Sequence, residues 1–261
     1  MSNQNGTQAI DRAARLLSEV VHSADPMTFT GLNAATGLAK STTSRLLLAL
    51  ERNGLVRRDD HGRFLPGEMF VSFAWRGGAE AGLVAVAQPF LRRLGKATGE
   101  TVNLGVAGKG RVEQIAQVDS TYMIGGTNWV GMSLPLHCSA LGKVLLAYGA
   151  AQLPAGKLER RTNKTVTSET ALWEDLAEVR ARGYAVTDEE LEPGLITVAA
   201  PVHGYDGAVV AALSVSAPAT RLTRDGLEVA ARHCMQEAAG LSALLRYRPQ
   251  AARQNRKAGA A

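Results

Sequence analysis

The stretch LAKSTTSRLLLALERNGLVRR, from Leu38 to Arg58, contains the pattern on which the fold of the N-terminal region depends. Core-forming side chains recur in it at the spacing of one helix face, and Gly54 stands where such a helix would end. The predicted inward residues are Thr43, Leu46, Leu47 and Leu50. Hydroxyl and basic residues occupy the first turns on the opposite side. The segment is therefore predicted to be a helix with one core face and one solvent face.

The residues around this helix predict a winged helix-turn-helix domain. A first helix is predicted over about 7–21, and a short second one is capped by Thr30 and ended by Gly37. LVRRD, DHG and RFLPG then predict a hairpin. A short helix joined through a glycine turn to another helix is the arrangement that places a helix in the major groove of DNA. The predicted inward residues of the first two helices are Ile10, Ala13, Ala14, Leu17, Val20, Val21, Leu32 and Ala35.

The 261 residues are enough for two domains. The winged domain is assigned to 1–66, a linker helix to 67–81 and a second domain to 82–248, beginning with a separate amphipathic helix over 82–98. From Glu100 the apolar period changes to two, and strand pairs alternate with helices. This predicts an α+β domain around an antiparallel sheet. Residues 249–261 are predicted to be a basic, disordered tail.

The net charge of +5 is concentrated at one end of the chain. Residues 1–76 carry nine Lys/Arg against seven Asp/Glu, 77–245 carry fifteen against seventeen, and the tail carries five basic residues and no acidic one. The global charge is therefore weak evidence for nucleic-acid binding. A local cluster is stronger evidence, because five basic residues accompany the single acid Glu51 in and after the predicted helix: Lys40, Arg45, Arg52, Arg57 and Arg58.

Several possible catalytic or metal-binding patterns fail on spacing. GVAGKG lacks the spacer and the following hydroxyl of a phosphate-binding loop. Ser139 and Lys143 are four residues apart, whereas the Ser-x-x-Lys nucleophile pair needs three. The acidic run TDEELE, residues 187–192, is interpreted as a solvated loop. The two cysteines, Cys138 and Cys234, are interpreted as buried apolar residues, so no metal site and no cofactor is predicted.

The sequence also lacks the features of a membrane or exported protein. No apolar run approaches the roughly 20 residues of a membrane span, and the N-terminus has no apolar signal core. A cytoplasmic location is expected.

A possible small-molecule site is indicated by AVVAALSVSAP. Alternation places Val209, Ala211, Leu213 and Val215 on an ordinary core face. The opposite face is small and ends in the hydroxyls of Ser214 and Ser216, which suits a pocket for a polar molecule, although solvent-facing serines are the simpler alternative. The helix beginning near Ser139 is expected to supply a second wall. The backbone N–H groups of its residues Ala140 and Leu141 could hold a carboxylate.

Two stretches carry a family resemblance. The first is the N-terminal ATGLAKSTTSRLLLALERNGLVRR. The second comprises LPLHCSALGKVLLAY and GYAVTDEELEPGLITVAAPVHGYDGAVVAALSVSAPATRLT. Together they resemble the IclR family of bacterial transcription regulators, over about residues 7–246. The resemblance implies a GAF-like effector-binding domain, homodimers or homotetramers on a palindromic site, and repression or activation of catabolic operons for small organic or aromatic acids. It adds Thr187, Thr197 and the neighbouring Asp188 to the effector-binding residues.

The sequence departs from the family pattern at several positions. Ser44 stands where the recognition helix often carries an aromatic residue or histidine. Thr187 replaces a common aspartate, and Thr197 occupies a position that can be cysteine. The two threonines suggest a different effector, because each offers a hydroxyl in place of a charge or thiol.

The predicted DNA contacts divide into two kinds. Contacts to base edges are assigned to four residues in the first turns of the recognition helix: Ser41, Thr42, Ser44 and Arg45. Of these, Arg45 can bond guanine bidentately. Phosphate contacts, which orient the protein on DNA without reading its sequence, are assigned to Lys40, Arg57, Arg58 and Arg63. The predicted function is a DNA-binding regulator controlled by a small carboxylate. The alternatives are a GAF-like sensor acting on proteins and a hydrolase with an appended helical domain.

Overall fold

The computed structural model describes residues 4–23, 25–122 and 127–245. The chain divides into two compact units, Met1–Gly82 and Leu83–Ala261. The basic tail predicted over 249–261 lies outside the described residues. No helix among the described residues is long and apolar enough to cross a membrane.

The N-terminal unit is a winged helix-turn-helix. Its elements are α1 (Gln4–His22), α2 (Phe29–Thr36), α3 (Lys40–Arg52), β1 (Val56–Arg58) and β2 (Phe64–Pro66). The two strands pair antiparallel, and Met27 adds a bridge to Phe64. The predicted inward residues of α3 are all buried. The three leucines of this face share one hydrophobic core with residues of the other elements: Leu16, Val20, Leu32, Val56 and Phe64.

The inward faces of α1 and α2 differ from the prediction. Ile10 and Ala14 are exposed, Ile10 by 69%, whereas Leu16 is fully buried. The buried face of α1 passes through Leu16 and Val20, which are one turn apart, so Ile10 at the N-terminal end lies outside it. Ala35 is likewise exposed.

In α2 the prediction is wrong about the cap and about which C-terminal residue is buried. Thr28, not Thr30, accepts the hydrogen bond from the backbone N–H of Gly31 at 3.0 Å. The buried residue near the C-terminus of α2 is Thr36, whose hydroxyl donates to the carbonyl of Leu32 at 2.7 Å. Gly37 ends the helix with a φ of 65°, as its position predicts.

The predicted linker helix and the helix over 82–98 are one helix, α4 (Glu68–Thr98), with Pro89 inside it. The prediction of a break at the glycines between 77 and 82 is therefore wrong. Glycine disfavours a helix interior by only about 1 kcal/mol relative to alanine, and burial of other residues can offset this. In the second unit, the apolar side chains of Ala87, Leu91 and Leu94 on α4 are fully buried.

The C-terminal unit contains a six-stranded antiparallel sheet. Its strands are β3 (Thr101–Ala107), β4 (Arg111–Val118), β5 (Ser133–Pro135), β6 (Ala185–Asp188), β7 (Leu195–His203) and β8 (Val209–Pro218). Their order is β5-β4-β3-β8-β7-β6. The helices are α5 (Ala140–Ala147), α6 (Glu169–Arg182) and α7 (Arg224–Leu244). Apolar residues of α4 and α7 pack on one face of the sheet, and those of α5 and α6 pack on the other.

Strand β8 departs from simple alternation at its first residues. The register between β7 and β8 shifts between Val202 and His203, so that Val202 pairs with Ala211 and His203 pairs with Val209. Val209 therefore joins the core on the α5 side, and Val210 is 41% exposed. The prediction that Val209 shares a face with Leu213 is wrong. Beyond this bulge, Ala211, Leu213 and Val215 share one core face, as predicted.

Candidate functional sites: the solvent face of α3 and a cavity beside α5

The solvent face of α3 presents hydroxyl and basic side chains. Lys40, Ser41, Ser44 and Arg45 are exposed, and Thr42 is half-buried. Opposite this face, the amide of Asn33 donates to the hydroxyl of Thr43 at 3.1 Å and also to the carbonyl of Leu38. These bonds tie α2, the turn and α3 together, so the core side fixes which residues of α3 face solvent.

The basic residues of the hairpin fall into two groups. Arg57 is exposed, whereas Arg58 lies 3.2 Å from Glu51 and its guanidinium stacks over the Phe64 ring at 4.7 Å. Arg63 pairs with Asp59 at 2.7 Å. Any phosphate contact by Arg58 or Arg63 must therefore compete with an existing ion pair, whereas Arg57 forms no ion pair within the described part of the chain.

In the C-terminal unit, a small cavity of about 30 Å³ lies between the sheet and α5. All the predicted effector residues line it except Asp188: they are Ser139, Ala140, Leu141, Thr187, Thr197, Ser214 and Ser216. Asp188 is exposed, and its carboxylate lies 3.3 Å from the ammonium of Lys164. Because successive residues of a strand point to opposite faces, Thr187 faces the cavity and Asp188 does not.

The cavity floor is formed by hydroxyls that share one rung of the sheet. Thr187 pairs with Thr197, and Thr197 pairs with Ser216. The hydroxyls of Thr197 and Ser216 are 3.1 Å apart. The hydroxyl of Ser214, on the next rung, is buried without a hydrogen-bond partner among the described residues. A buried hydroxyl without a partner is costly, and a bound polar molecule would satisfy it.

The N-terminus of α5 forms the opposite wall. Ser139 caps it, accepting from the backbone N–H of Gly142 at 3.2 Å and donating to the carbonyl of Pro135 at 2.5 Å. The N–H of Lys143 bonds the carbonyl of Ser139. The first N–H groups of a helix have no partner within it, which leaves those of Ala140 and Leu141 available at the cavity.

Other cavity residues escaped the sequence analysis. Asn103 on β3 and Gln114 on β4 add amides, and apolar walls come from Trp129, Leu134, Leu191 and Leu195. Asn103 carried a usable signal, since it is the single strongly polar side chain in the apolar strand TVNLGVA. Among the described residues, the lining contains no charged side chain. The cavity therefore suits a ligand held by hydroxyls, amides and backbone N–H groups.

A buried ion cluster lies one helical turn beyond the cavity. Lys143, 1% exposed, is 2.6 Å from a carboxylate oxygen of Asp175 on α6 and 2.6 Å from one of Glu190. The interpretation of the acidic run as solvated is thus wrong for Glu190. Burial raises the pKa of Glu190, and Lys143 opposes that shift. Lys143 is committed to this cluster and Ser139 to its cap.

Neither the cysteines nor the acidic residues form a metal site in the part of the chain that the structure describes. Both cysteines are buried, as predicted. Burial raises the pKa of the Cys138 thiol to about 11, and that of Cys234 to about 12. Both thiols are therefore protonated at neutral pH.

A winged helix-turn-helix joined to a domain with an internal polar cavity defines a class of proteins, the ligand-responsive transcription regulators. Comparison with known families finds a match for each of the two parts of the chain. The family model described as the IclR helix-turn-helix domain matches residues 9–60, and the model described as the C-terminal domain of the bacterial transcriptional regulator IclR matches residues 79–243. The chain belongs to the IclR family of transcription regulators, so it is a regulator and not an enzyme.

Individual relatives agree with this assignment. The chain is 34% identical over 234 residues to the HTH-type transcriptional regulator BhcR of Paracoccus denitrificans, covering 85% of this chain and 81% of BhcR. It is 33% identical over 233 residues to the transcriptional repressor IclR of Escherichia coli, covering 84% and 82%.

Solved structures of the family share the fold. An IclR-type regulator from Silicibacter sp. TM1040 superposes with a TM-score of 0.67 at 26% identity, covering 90% of this chain and 94% of that one. An IclR homologue from Microbacterium hydrocarbonoxydans, solved in complex with 4-hydroxybenzoate, gives a TM-score of 0.59 at 25% identity, covering 91% and 99%.

Proposed function

We propose that this chain binds a palindromic operator as a cytoplasmic homodimer or homotetramer, and that a small organic acid in the cavity beside α5 controls the binding. Its target is a catabolic operon for such an acid. The observation that carries the proposal is the cavity lining: within the described part of the chain, the hydroxyl of Ser214 has no partner, the lining has no charged side chain, and the N-terminus of α5 forms the opposite wall.

DNA recognition is assigned to the exposed first turns of α3. Ser41, Ser44 and Arg45 are exposed there and Thr42 is half-buried, which supports their assignment to base edges. Lys40 and Arg57, both exposed, are assigned to phosphates, and Arg58 and Arg63 contribute once they leave their ion pairs. The N-cap of α3, Ala39, has no side-chain acceptor, so the first N–H groups of α3 are also available to a phosphate.

A gel shift with the DNA upstream of the protein's own gene tests this part. Arg45→Ala should lose specific binding, because a bidentate contact to guanine is worth about 1–3 kcal/mol in each half-site. Arg52→Ala removes the same charge from the far end of α3, about 10 Å away along the helix, and is the control. Equal loss in both variants would contradict base recognition by Arg45.

The effector is inferred from the donors that the cavity offers. A carboxylate accepts hydrogen bonds, and the available groups are donors: the N–H groups of Ala140 and Leu141 and the hydroxyl of Ser214. The positive end of the helix dipole at the N-terminus of α5 favours an anion further. A cavity of about 30 Å³ has room for about two water molecules, which favours an acid of few atoms.

Isothermal titration with acetate, glycolate and lactate tests this part. Ser214→Ala with Ser216→Ala removes two donors without adding volume. Each lost hydrogen bond to a charged ligand should cost about 1.5–3 kcal/mol, which is about tenfold or more in affinity. Thr220→Val, an exposed hydroxyl outside the cavity, is the control. Unchanged affinity in the serine double variant would refute the site.

A further inference from the structure

We infer that Trp129 determines which effectors the cavity accepts, by closing it to molecules of more than a few heavy atoms. The inference rests on the proposed function, since it concerns the same cavity. It begins from the position of one side chain. Trp129 lines the cavity and also lines two larger grooves on the outside of the domain.

The first groove has a volume of about 270 Å³ and shares Trp129, Leu195 and Ser216 with the cavity. The second has a volume of about 460 Å³ and shares Trp129, Leu134 and Leu191 with it. Trp129 is the side chain common to all three spaces among the described residues. It therefore separates a space of about 30 Å³ from spaces large enough for an aromatic acid.

The backbone around Trp129 is fixed to strand β4 on both sides. Its N–H donates to the side-chain carbonyl of Gln117 at 2.9 Å, and the amide of Gln117 donates to the carbonyl of Thr127 at 3.2 Å. On the other side, the N–H of Gly131 donates to the carbonyl of Gln114 at 2.8 Å. Trp129 is thus a positioned wall, with its ring packed against the apolar residues around α5.

The glutamine that positions Trp129 also bonds a side chain of the cavity lining. Gln117 pairs with Asn103 across the sheet, and the amide of Asn103 donates to the same Gln117 oxygen at 2.8 Å. A register shift beside Gly105 places Gln114 opposite Gly105 and on the cavity face as well. Asn103, Gln117 and the backbone of Trp129 therefore form one hydrogen-bonded unit, which explains how a tryptophan in a connecting segment can limit ligand size.

The test is isothermal titration of the full chain with acetate, glycolate, benzoate and 4-hydroxybenzoate. The wild-type protein should bind the two-carbon acids and exclude the aromatic ones. Trp129→Ala should gain at least about tenfold in affinity for the aromatic acids, the scale on which a pocket of changed size discriminates. Trp129→Phe, which keeps an apolar ring and guards against misfolding of the alanine variant, should give an intermediate gain. Trp173→Ala removes an exposed tryptophan from α6 and should leave the profile unchanged.

The outcomes separate the two proposals. If Trp129→Ala and Trp129→Phe bind the two-carbon acids but keep the wild-type size preference, the role of Trp129 is refuted and the cavity stands. If wild-type protein binds the aromatic acids as well as the two-carbon acids, the role of Trp129 is refuted too. If no acid binds any variant, the proposed effector site fails, and the size limit fails with it.

Discussion

The buried cluster of Lys143, Asp175 and Glu190 predicts a large loss of stability on removal of one charge. Lys143→Met keeps the length of the side chain and removes the ammonium. Two carboxylates then remain, each having lost a cation at 2.6 Å. Because the lysine is 1% exposed, water cannot replace it freely. Breaking a buried ion pair in this way costs about 3–5 kcal/mol.

A matched control exists on the surface of the same domain. Lys164 also bridges two carboxylates, Asp188 at 3.3 Å and Glu189 at 2.6 Å, but its side chain is 45% exposed. Lys164→Met should cost far less stability, because water and salt screen an exposed ion pair. Urea unfolding at neutral pH, followed by tryptophan fluorescence, gives both free energies of unfolding. Losses of similar size in the two variants would show that burial does not control the contribution of the cluster.

Three further outcomes follow from the same structure. Arg57→Ala should weaken binding to all DNA sequences alike and reduce the salt slope by about one unit; a loss confined to the operator would contradict a phosphate role. In Glu190, burial raises the carboxyl pKa above its ordinary 4.5, so the folded state holds that proton more tightly than the unfolded state. Relative to Glu190→Gln, the wild-type protein should therefore gain stability as pH falls through the raised pKa toward 4.5; a difference in urea midpoint that is constant with pH would contradict this. Gly142→Ala would place its Cβ 2.3 Å from the carbonyl oxygen of Leu136 and should cost at least about 1–3 kcal/mol; an unchanged thermal midpoint would argue against this close approach.

Local sequence patterns predicted the parts of the fold that depend on local physics. The core face of α3 was predicted from apolar residues three and four positions apart. The end of α2 was predicted from Gly37, because glycine readily adopts the left-handed conformation that ends a helix. The two serines of the cavity floor followed from alternation in β8, where Ser214 and Ser216 share a face, whereas Thr187 and Thr197 came from the family resemblance. Each of these patterns spans about a dozen residues, so each feature could be predicted from a single segment of the sequence.

The missed features depend on contacts between distant segments. Lys143 and Glu190 are 47 positions apart and meet only after α5 and the segment following β6 have packed. The bulge that turns Val209 toward α5 is set by its pairing with β7. Trp129 gave no signal because its position depends on two hydrogen bonds to strand β4, one from its own N–H to Gln117 and one from the N–H of Gly131 to Gln114. The continuity of α4 was missed because Gly77, Gly78 and Gly82 suggested a stop, whereas the helix runs from Glu68 to Thr98.

The most direct test of the central claim is a crystal structure of the protein with a bound two-carbon acid such as glycolate. The carboxylate should lie beside the N-terminus of α5, with its oxygens about 2.9 Å from the backbone nitrogens of Ala140 and Leu141. The hydroxyl of Ser214, which has no partner among the described residues, should donate to the ligand. A ligand bound elsewhere, with the hydroxyl of Ser214 still unpaired, would contradict the claim that this cavity is the effector site.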